Sequence, residues 1–291
     1  MDLGIFLPQD GSVPVAAAAR RAEDAGLGSV WIGDHLAGGP ILDAGMVLAT
    51  AAAVTERVRI GFGVFLPALR PVAWAAKQVA TLSVLGEGRF DLGVGIGGID
   101  GPDWSAAGVP FGERAARTDD FLEVLPALLR AEATTVGGGR TVTLEPAVTP
   151  PPVWVGGGAK PALRRVARHG DGWLASLQPP KRLREHSEYI AEHAQRLGRP
   201  VPRLGTVVHG ALVARSEPGL WHREAAKLAR RYSVEQDEAL TATIAGTPAE
   251  VAEQLAGFID VGVERLAFVP HEGWTATCDL LAEVGALLDR G

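Results

Sequence analysis

The chain has 291 residues, 47% of them hydrophobic, which is ample for a large core and normal for one α/β barrel. Its formal charge of -6 excludes the basic field that broad nucleic-acid binding or adhesion to anionic lipid requires. A single cysteine, Cys278, excludes an internal disulfide and a cysteine metal cluster.

The first predicted element is a strand at residues 3–7, which Pro8 follows directly. This apolar run is too short for a signal peptide, and later apolar runs are interrupted before they reach membrane-spanning length. We therefore expect a cytoplasmic protein.

Short runs rich in β-branched and aromatic residues alternate with alanine-rich helical stretches along the whole chain. This alternation predicts eight strands, at residues 3–7, 29–32, 58–65, 90–95, 152–157, 171–176, 204–214 and 264–270. Helices are predicted at residues 14–26, 42–55, 71–86, 113–131, 161–170, 181–198, 219–241, 248–262 and 274–290. Residues 134–146, with three consecutive glycines, predict a small hairpin inserted before strand five.

Eight evenly spaced strands that alternate with helices, without a linker-like break, favour one fold. That fold is a (β/α)8 TIM barrel, forming a single domain over residues 1–291. An open doubly wound sheet of eight strands is the alternative.

In such a barrel the active site is built at the carboxyl ends of the strands. Asp34 and His35 follow strand two, where an imidazole can exchange a proton near neutral pH and a carboxylate can hold a cofactor amide or hydroxyl. A polar loop start, or an N-cap at Asp34, is the alternative interpretation. Other strand ends offer candidates within residues 8–10, 64–70, 95–111, 156–160 and 270–272.

Glycines 156–158 stand between strand five and the next helix, where backbone N–H groups and the helix dipole can bind a phosphate. Lys160 can add a positive charge, whereas a tight turn with positive φ is the plainer interpretation. His209 lies within strand seven and faces either the barrel interior or the helix layer. Trp104 belongs to a loop, residues 99–112, that overhangs the mouth.

The stretch GVGIGG, residues 93–98, matches the glycine fingerprint of dinucleotide-binding proteins. A true fingerprint opens a helix directly after the first strand. Here the glycines follow the fourth strand, and Pro102 predicts that no helix continues directly from them. We therefore interpret them as the end of barrel strand four.

Four stretches together carry a family resemblance. They extend over nearly the whole chain and occur in this order: SVWIGDHL, the run from RVRIGFGVFLPALRP to RFDLGVGIGG, PPVWVGGGAKPALRRVARHGDGWL and GTPAEVAEQLAGFIDVGVERLAFVP. In this combination the chain resembles the bacterial luciferase-like superfamily and, within it, the coenzyme F420-dependent oxidoreductases.

The resemblance implies a barrel that binds a flavin or 5-deazaflavin at its mouth. It implies a non-prolyl cis peptide at Gly63 and Val64 beside the cofactor ring, and a catalytic pair, Asp34 and His35, that holds the deazaflavin and moves a proton. The residues it assigns to the cofactor are Asp34, Gly63, Val64, Leu66, Gly97, Gly98, Gly157, Gly158, Ala159 and Ala162.

The sequence departs from the F420-dependent sugar-phosphate dehydrogenases. They carry a glutamate just after the strand-four glycine, where this chain has Gly98, and their substrate-phosphate lysines and arginines have no clear counterparts here. Sugar-phosphate oxidation is therefore disfavoured. Asp100, Asp103 and Glu113 are the candidates to replace the missing glutamate.

The leading hypothesis is an F420-dependent oxidoreductase that transfers a hydride between C5 of the deazaflavin and a small organic substrate, with His35 as the proton donor or acceptor. A monooxygenase that uses reduced FMN and O2 is the alternative, and a non-catalytic flavin-binding protein is a third. We expect no metal, nucleic-acid or membrane partner. A homodimer and a separate flavin or F420 reductase are further expectations.

Overall fold

The computed structural model describes residues 1–98 and 101–289. The strands in this part of the chain are β1 (Asp2–Phe6), β2 (Ser29–Ile32), β3 (Arg59–Phe62), β4 (Phe90–Val94), β5 (Thr134–Val136), β6 (Arg140–Val142), β7 (Val153–Gly156), β8 (Gly172–Ser176), β9 (Arg203–Leu212), β10 (Thr243–Gly246) and β11 (Arg265–Pro270).

Helices pack around these strands and return the chain from one strand to the next. They are α1 (Val15–Asp24), α2 (Ala44–Val54), α3 (Val72–Leu85), α4 (Pro102–Ala107), α5 (Arg114–Leu129), α6 (Lys160–His169), α7 (Pro180–Arg196), α8 (Leu220–Tyr232), α9 (Gln236–Ala242), α10 (Pro248–Asp260) and α11 (Trp274–Leu288). Within the described residues, none of them is both long and apolar enough to cross a membrane.

Eight parallel strands close into a barrel in the order β1, β2, β3, β4, β7, β8, β9 and β11, with β11 paired back to β1. This closure confirms the predicted TIM barrel and excludes the open sheet, which would leave two unpaired edges. The predicted insertion is confirmed as well, because β5 and β6 form an antiparallel hairpin before β7.

Three elements differ from the prediction. The helix predicted at residues 219–241 is two helices, α8 and α9. β10 occupies residues that were predicted to link two helices, and it pairs in parallel with the second half of β9 as a ninth strand outside the barrel. The long loop predicted after β4 contains α4. This helix does not continue directly from glycines 93–98 but begins at Pro102, because the first turn of a helix needs no proline N–H and proline is favoured there.

The barrel interior is filled by pairing large side chains with glycines. Trp31 and Trp154 are buried at its centre. A Cβ atom on Gly61 would lie 2.6 Å from the Trp31 ring, and one on Gly172 would lie 2.2 Å from the Trp154 ring. These glycines therefore make room for the indoles, which close the barrel below the mouth.

An ion-pair network closes the amino-terminal end of the barrel. Asp91, 1% exposed, accepts hydrogen bonds from Arg59 Nε at 2.7 Å and from Arg265 Nη1 at 2.5 Å. Arg265 also donates to Asp2 at 2.8 Å, and Trp154 Nε1 lies 3.3 Å from Asp91. With this end occupied, the carboxyl ends of the strands are left to form the site.

Candidate active site

Asp34 lies at the carboxyl end of β2 and is 4% exposed. Arg70 donates two hydrogen bonds to its carboxylate, at 2.6 and 3.0 Å, and the backbone N–H of Leu66 adds a third at 2.9 Å. This geometry fixes the carboxylate and compensates its charge. It also ties the loop after β2 to the loop after β3, which contains Leu66 and Arg70.

The peptide bond between Gly63 and Val64 is cis, as the resemblance implied. A Cβ atom on Gly63 would lie 2.6 Å from Phe6 Cζ, so the ring of Phe6 covers this peptide. The Val64 side chain reaches strand four, where a Cβ atom on Gly95 would lie 2.4 Å from Val64 Cγ2. Phe6 and Val64 thus form part of an apolar floor over the buried indoles.

His35 follows Asp34 and has an exposed side chain. Its Nδ1 lies 3.1 Å from Asp103 Oδ2, and Asp103 Oδ1 accepts the backbone N–H groups of Leu36 and Ala37 at 2.7 and 2.6 Å. Burial alone would raise the pKa of Asp103, but these hydrogen bonds and the contact with His35 hold it below its usual value. Asp103, on α4, therefore orients His35 and ties α4 to the loop after β2.

The opposite edge of the His35 ring lies against Gly33. Its Cδ2 and Nε2 atoms lie near Gly33, at 3.6 Å from the position of a Cβ atom on that residue. The carbonyl of Gly33 accepts a hydrogen bond from Gln9 Nε2 at 2.6 Å. Since Asp103 binds Nδ1, Nε2 is the nitrogen that remains for exchange of a proton.

The glycine turn after β7 forms a cradle at the start of α6. Gly157 has a φ of 102°, its carbonyl accepts a hydrogen bond from Trp173 Nε1 at 2.8 Å, and a Cβ atom there would lie 2.9 Å from the Ala162 Cβ. A Cβ atom on Gly158 would lie 3.0 Å from Gln178 Nε2. Ala159 is the N-cap of α6, and because Pro161 has no N–H, the free N–H groups of the first helical turn are those of Lys160 and Ala162.

Gln178 brings a side-chain amide to this cradle. Its Nε2, the amide atom nearest to Gly158, can donate to a phosphate, whereas its buried Oε1, which has no partner within the described residues, only accepts and does not serve an anion. The exposed Lys160 begins α6 directly after the turn. A bare turn, a helix N-terminus and a side-chain amide are the donors that suit a phosphate. The cradle therefore fits the phosphate of a flavin or deazaflavin cofactor.

At the end of strand four, Gly97 and Gly98 have different surroundings. Gly97 has a φ of 71°, and a Cβ atom there would lie 2.7 Å from Trp104 Cζ2, so a buried indole packs on it. Gly98 has open space where its side chain would be. Glu113 pairs with Arg117 on the surface, and Asp100 lies outside the described residues.

The structure adds side chains to which the sequence assigned no role. Arg70 lies within the candidate stretch 64–70, but the sequence does not show which residue it binds. Gln178 follows β8, the sixth strand of the barrel, whose carboxyl end is not among the candidates named from the sequence. Glu224 could not be found from sequence, since it lies on α8 and reaches the mouth only through the fold. Its contact is His271, whose Nδ1 lies 2.6 Å from Glu224 Oε2.

His209 faces His271 across the ends of β9 and β11, with ring centroids 6.0 Å apart. Burial lowers the pKa of His209 to about 3, with His271 and Arg231 acting in the same direction. Its Nε2 lies 3.4 Å from the Tyr232 hydroxyl, while its Nδ1 is buried without a partner in the described chain. Burial also lowers the pKa of His271, although Glu224 opposes this shift.

The mouth thus combines an apolar floor with a phosphate cradle on one side and an oriented, solvent-accessible imidazole on another. Within the described residues, no three His, Cys, Asp or Glu side chains cluster as a metal site would require. A flat ring can lie on the floor while His35 exchanges protons with water. This arrangement can bind a phosphorylated ring cofactor and can transfer a proton.

The chain is similar to known proteins in sequence and in fold. Residues 1–265 match the family model described as luciferase-like monooxygenase. An F420-dependent glucose-6-phosphate dehydrogenase of Beutenbergia cavernae is 28% identical over 301 residues, covering 90% of this chain and 88% of that protein. An uncharacterized Mycobacterium tuberculosis protein is 33% identical over 191 residues, which span 57% of this chain and 66%, just under two thirds, of that protein.

Among solved structures, an F420-dependent secondary alcohol dehydrogenase in complex with an F420-acetone adduct matches with a TM-score of 0.81. The match covers 99% of this chain and 98% of that one at 18% identity. At this identity the likeness concerns the fold.

Proposed function

The chain belongs to the luciferase-like monooxygenase family, and from this premise we propose that it is an F420-dependent oxidoreductase. The reaction is hydride transfer between the deazaflavin and a small organic substrate, with His35 as the proton donor or acceptor. The observation that carries the proposal is His35, oriented by Asp103 at 3.1 Å, beside the fixed carboxylate of Asp34.

The residues present fit the cofactor. Its phosphate would be held by Gly157, Gly158 and the N-terminus of α6, with Gln178 Nε2, which lies against Gly158, as an added donor. Its ring would lie on the floor formed by Phe6 and Val64. When bound, a deazaflavin supplies a carbon, C5, that accepts or releases a hydride.

The chain's own groups supply the proton chemistry. Asp103 accepts the hydrogen of His35 Nδ1, so Nε2 presents its lone pair toward the mouth and can take the proton of a substrate hydroxyl. In the reverse direction, protonated His35 returns this proton to a carbonyl oxygen. The exposure of the ring lets it re-equilibrate with water between turnovers.

Asp34 has a different task. Its carboxylate is buried, and Arg70 and Leu66 occupy it, so it serves to hold groups rather than to exchange protons. It keeps the loops after β2 and β3 together around the cofactor ring. It also leaves carboxylate lone pairs for an N–H group of that ring.

Two measurements test the proposal. Equilibrium titration should show tight binding of F420 and weaker binding of FMN. His35→Ala should then lower turnover of small alcohols or ketones about 100- to 10,000-fold, the usual contribution of a general acid or base, with little change in F420 affinity. His222→Ala, on the exposed part of α8, is the matched control. Unchanged turnover in His35→Ala would remove His35 from the mechanism.

The family description and the phosphate cradle also support a second candidate, an FMN-dependent monooxygenase that uses reduced flavin and O2. The cradle serves both cofactors equally, because both carry a phosphate. Tight FMN binding without F420 binding would establish this alternative. A non-catalytic flavin-binding protein is the third candidate, and the absence of any single-turnover reduction or oxidation of bound cofactor would establish it.

A further inference from the structure

The carboxyl ends of β9 and β11 carry two histidines that the proposed function does not use. His209 is the register partner of Val269, whose side chain packs against the Trp31 and Trp154 cluster inside the barrel. His271 follows two residues later, and its N–H continues the β-ladder by donating to Gly210 O at 2.9 Å. Strand alternation therefore directs both imidazoles to the inner face, at the mouth.

The contact with Glu224 selects one tautomer of His271. Glu224 is almost fully buried and pairs with Lys227 Nζ at 2.9 Å. A carboxylate only accepts, so the hydrogen of the neutral imidazole must lie on Nδ1, 2.6 Å from Glu224. Nε2 then carries a lone pair, and within the described residues it has no hydrogen-bond partner.

The charges around this nitrogen favour a hydrogen-bond donor. Lys227 is bound by both Glu224 and Glu272, at 2.9 and 2.7 Å, and is not available to an anion. Arg231, the other cation that acts on His271, has its guanidinium over the Tyr232 ring, 5.8 Å from the ring centroid. His209 beside it is neutral at physiological pH, and its buried Nδ1 also has no partner among the described residues. An anionic or acceptor-only group placed here would face a lone pair backed by a carboxylate.

We propose that His271 Nε2 accepts a hydrogen bond from the substrate, which therefore presents an O–H or N–H donor to β11 rather than a phosphate or a carboxylate. His271 acts here as a specificity-determining residue, and Glu224 acts through it as a positioning residue. The inference rests on the proposed function, since it assumes that the substrate binds at this mouth.

The position of His271 suits a substrate that also reaches His35. In the barrel, β11, β1 and β2 are neighbours, so the strand ends that carry the two histidines are separated by one strand, roughly 10 Å. A substrate on the Phe6 floor that reaches both histidines therefore carries two polar groups, one for each imidazole. A site built to bind a donor discriminates strongly against analogues that lack it, because its acceptor would then be left unpaired.

Titration of F420-loaded protein tests this inference through the imidazole nitrogen resonances of His271. The probes are 2-propanol, isopropylammonium and acetone, which share one shape, and inorganic phosphate. We expect 2-propanol or isopropylammonium to shift the Nε2 resonance with an affinity about tenfold above that of acetone, the worth of one hydrogen bond. A response to 2-propanol alone identifies a hydroxyl, and one to isopropylammonium alone identifies an amine.

Two variants sharpen the result. Glu224→Gln keeps the shape and should release the Nδ1–H tautomer of His271, while His222→Gln, on an exposed face of α8, should leave it as in the wild type. An Nε2–H tautomer in the wild-type protein would overturn the inference. So would a response to acetone or phosphate alone, or to none of the probes. The tautomer is readable without cofactor, so failure of F420 to bind would count separately, against the proposed function.

Discussion

Both ends of the barrel contain buried polar side chains, but they differ in whether these side chains have hydrogen-bond partners. At the amino-terminal end, Asp91 is bound by Arg59, Arg265 and Trp154. At the mouth, Gln178 Oε1 and His209 Nδ1 are buried without a partner in the described chain. A buried polar atom without a partner is costly. We therefore expect a ligand to bind at the mouth, whereas the ion pairs of the other end stabilise the fold.

Glycines show the same contrast. Inside the barrel, Gly61 and Gly172 are required because the indoles of Trp31 and Trp154 occupy the space of their side chains. At the mouth, Gly98 faces empty space, and Gly158 approaches an incompletely bonded amide, that of Gln178. The same residue type thus serves packing at one depth of the barrel and ligand access at another.

The largest effect on stability is expected at the closed end. Asp91→Ala leaves the buried guanidinium group of Arg265 and the half-buried one of Arg59 without their shared partner. We expect a loss of about 3–5 kcal/mol in the free energy of unfolding, measured by urea denaturation. F420 affinity of the folded fraction should be unchanged. Asp120→Ala, an exposed carboxylate on α5, should stay within about 0.5 kcal/mol of the wild type. Equal losses in both variants would contradict the contrast between the two ends.

A smaller effect, dependent on pH, is expected from the mouth. The pKa of His209 falls from 6.5 to about 3 on folding because the ring is buried. Between these values the unfolded chain binds a proton and the folded chain does not, so stability is lost as the pH falls through this window. The slope for one group is at most about 1.4 kcal/mol per pH unit.

His209→Gln should remove this contribution, so that its urea midpoint falls less steeply below about pH 6.5 than that of the wild type. His222→Gln, an exposed histidine on α8, should keep the wild-type slope. A His209→Gln slope equal to the wild-type slope would show that His209 is not held neutral in the folded protein.

The sequence predicted the barrel because its signals are local. Strand and helix alternation, with proline and glycine at the boundaries, placed all eight barrel strands to within a few residues. β10 was missed because four residues between two helices carry no periodic signal, and its pairing with β9 depends on the tertiary fold. α4 was missed because its six residues lie in a segment rich in glycine and proline, which predicts a loop and is too short to show helical periodicity.

One feature of the site was predicted from the family resemblance, and the contacts between side chains were not. The resemblance correctly implied the cis peptide at Gly63 and Val64. Neither pattern nor resemblance could show that Arg70 binds Asp34, or that Glu224 binds a histidine 47 positions away. Those contacts connect different strand ends and come together only when the barrel closes.

The smallest expected effect concerns the phosphate cradle. Gly157 has a φ of 102°, and a Cβ atom there would press on Ala162, so Gly157→Ala should displace the turn and its N–H groups. We expect the affinity for phosphate-bearing cofactor to fall about tenfold, about 1.4 kcal/mol, because the donors no longer converge. Binding of a phosphate-free deazaflavin should change little.

Gly138→Ala provides the matched control, since Gly138 has a φ of 83° but lies in the β5–β6 hairpin. It imposes similar backbone strain and should leave both affinities unchanged. The ratio of the two dissociation constants, measured by equilibrium titration, isolates the contribution of the phosphate from general loss of stability. If Gly157→Ala weakened both cofactors equally, this turn would serve the barrel as the interior glycines do, and the phosphate would have to bind elsewhere at the mouth.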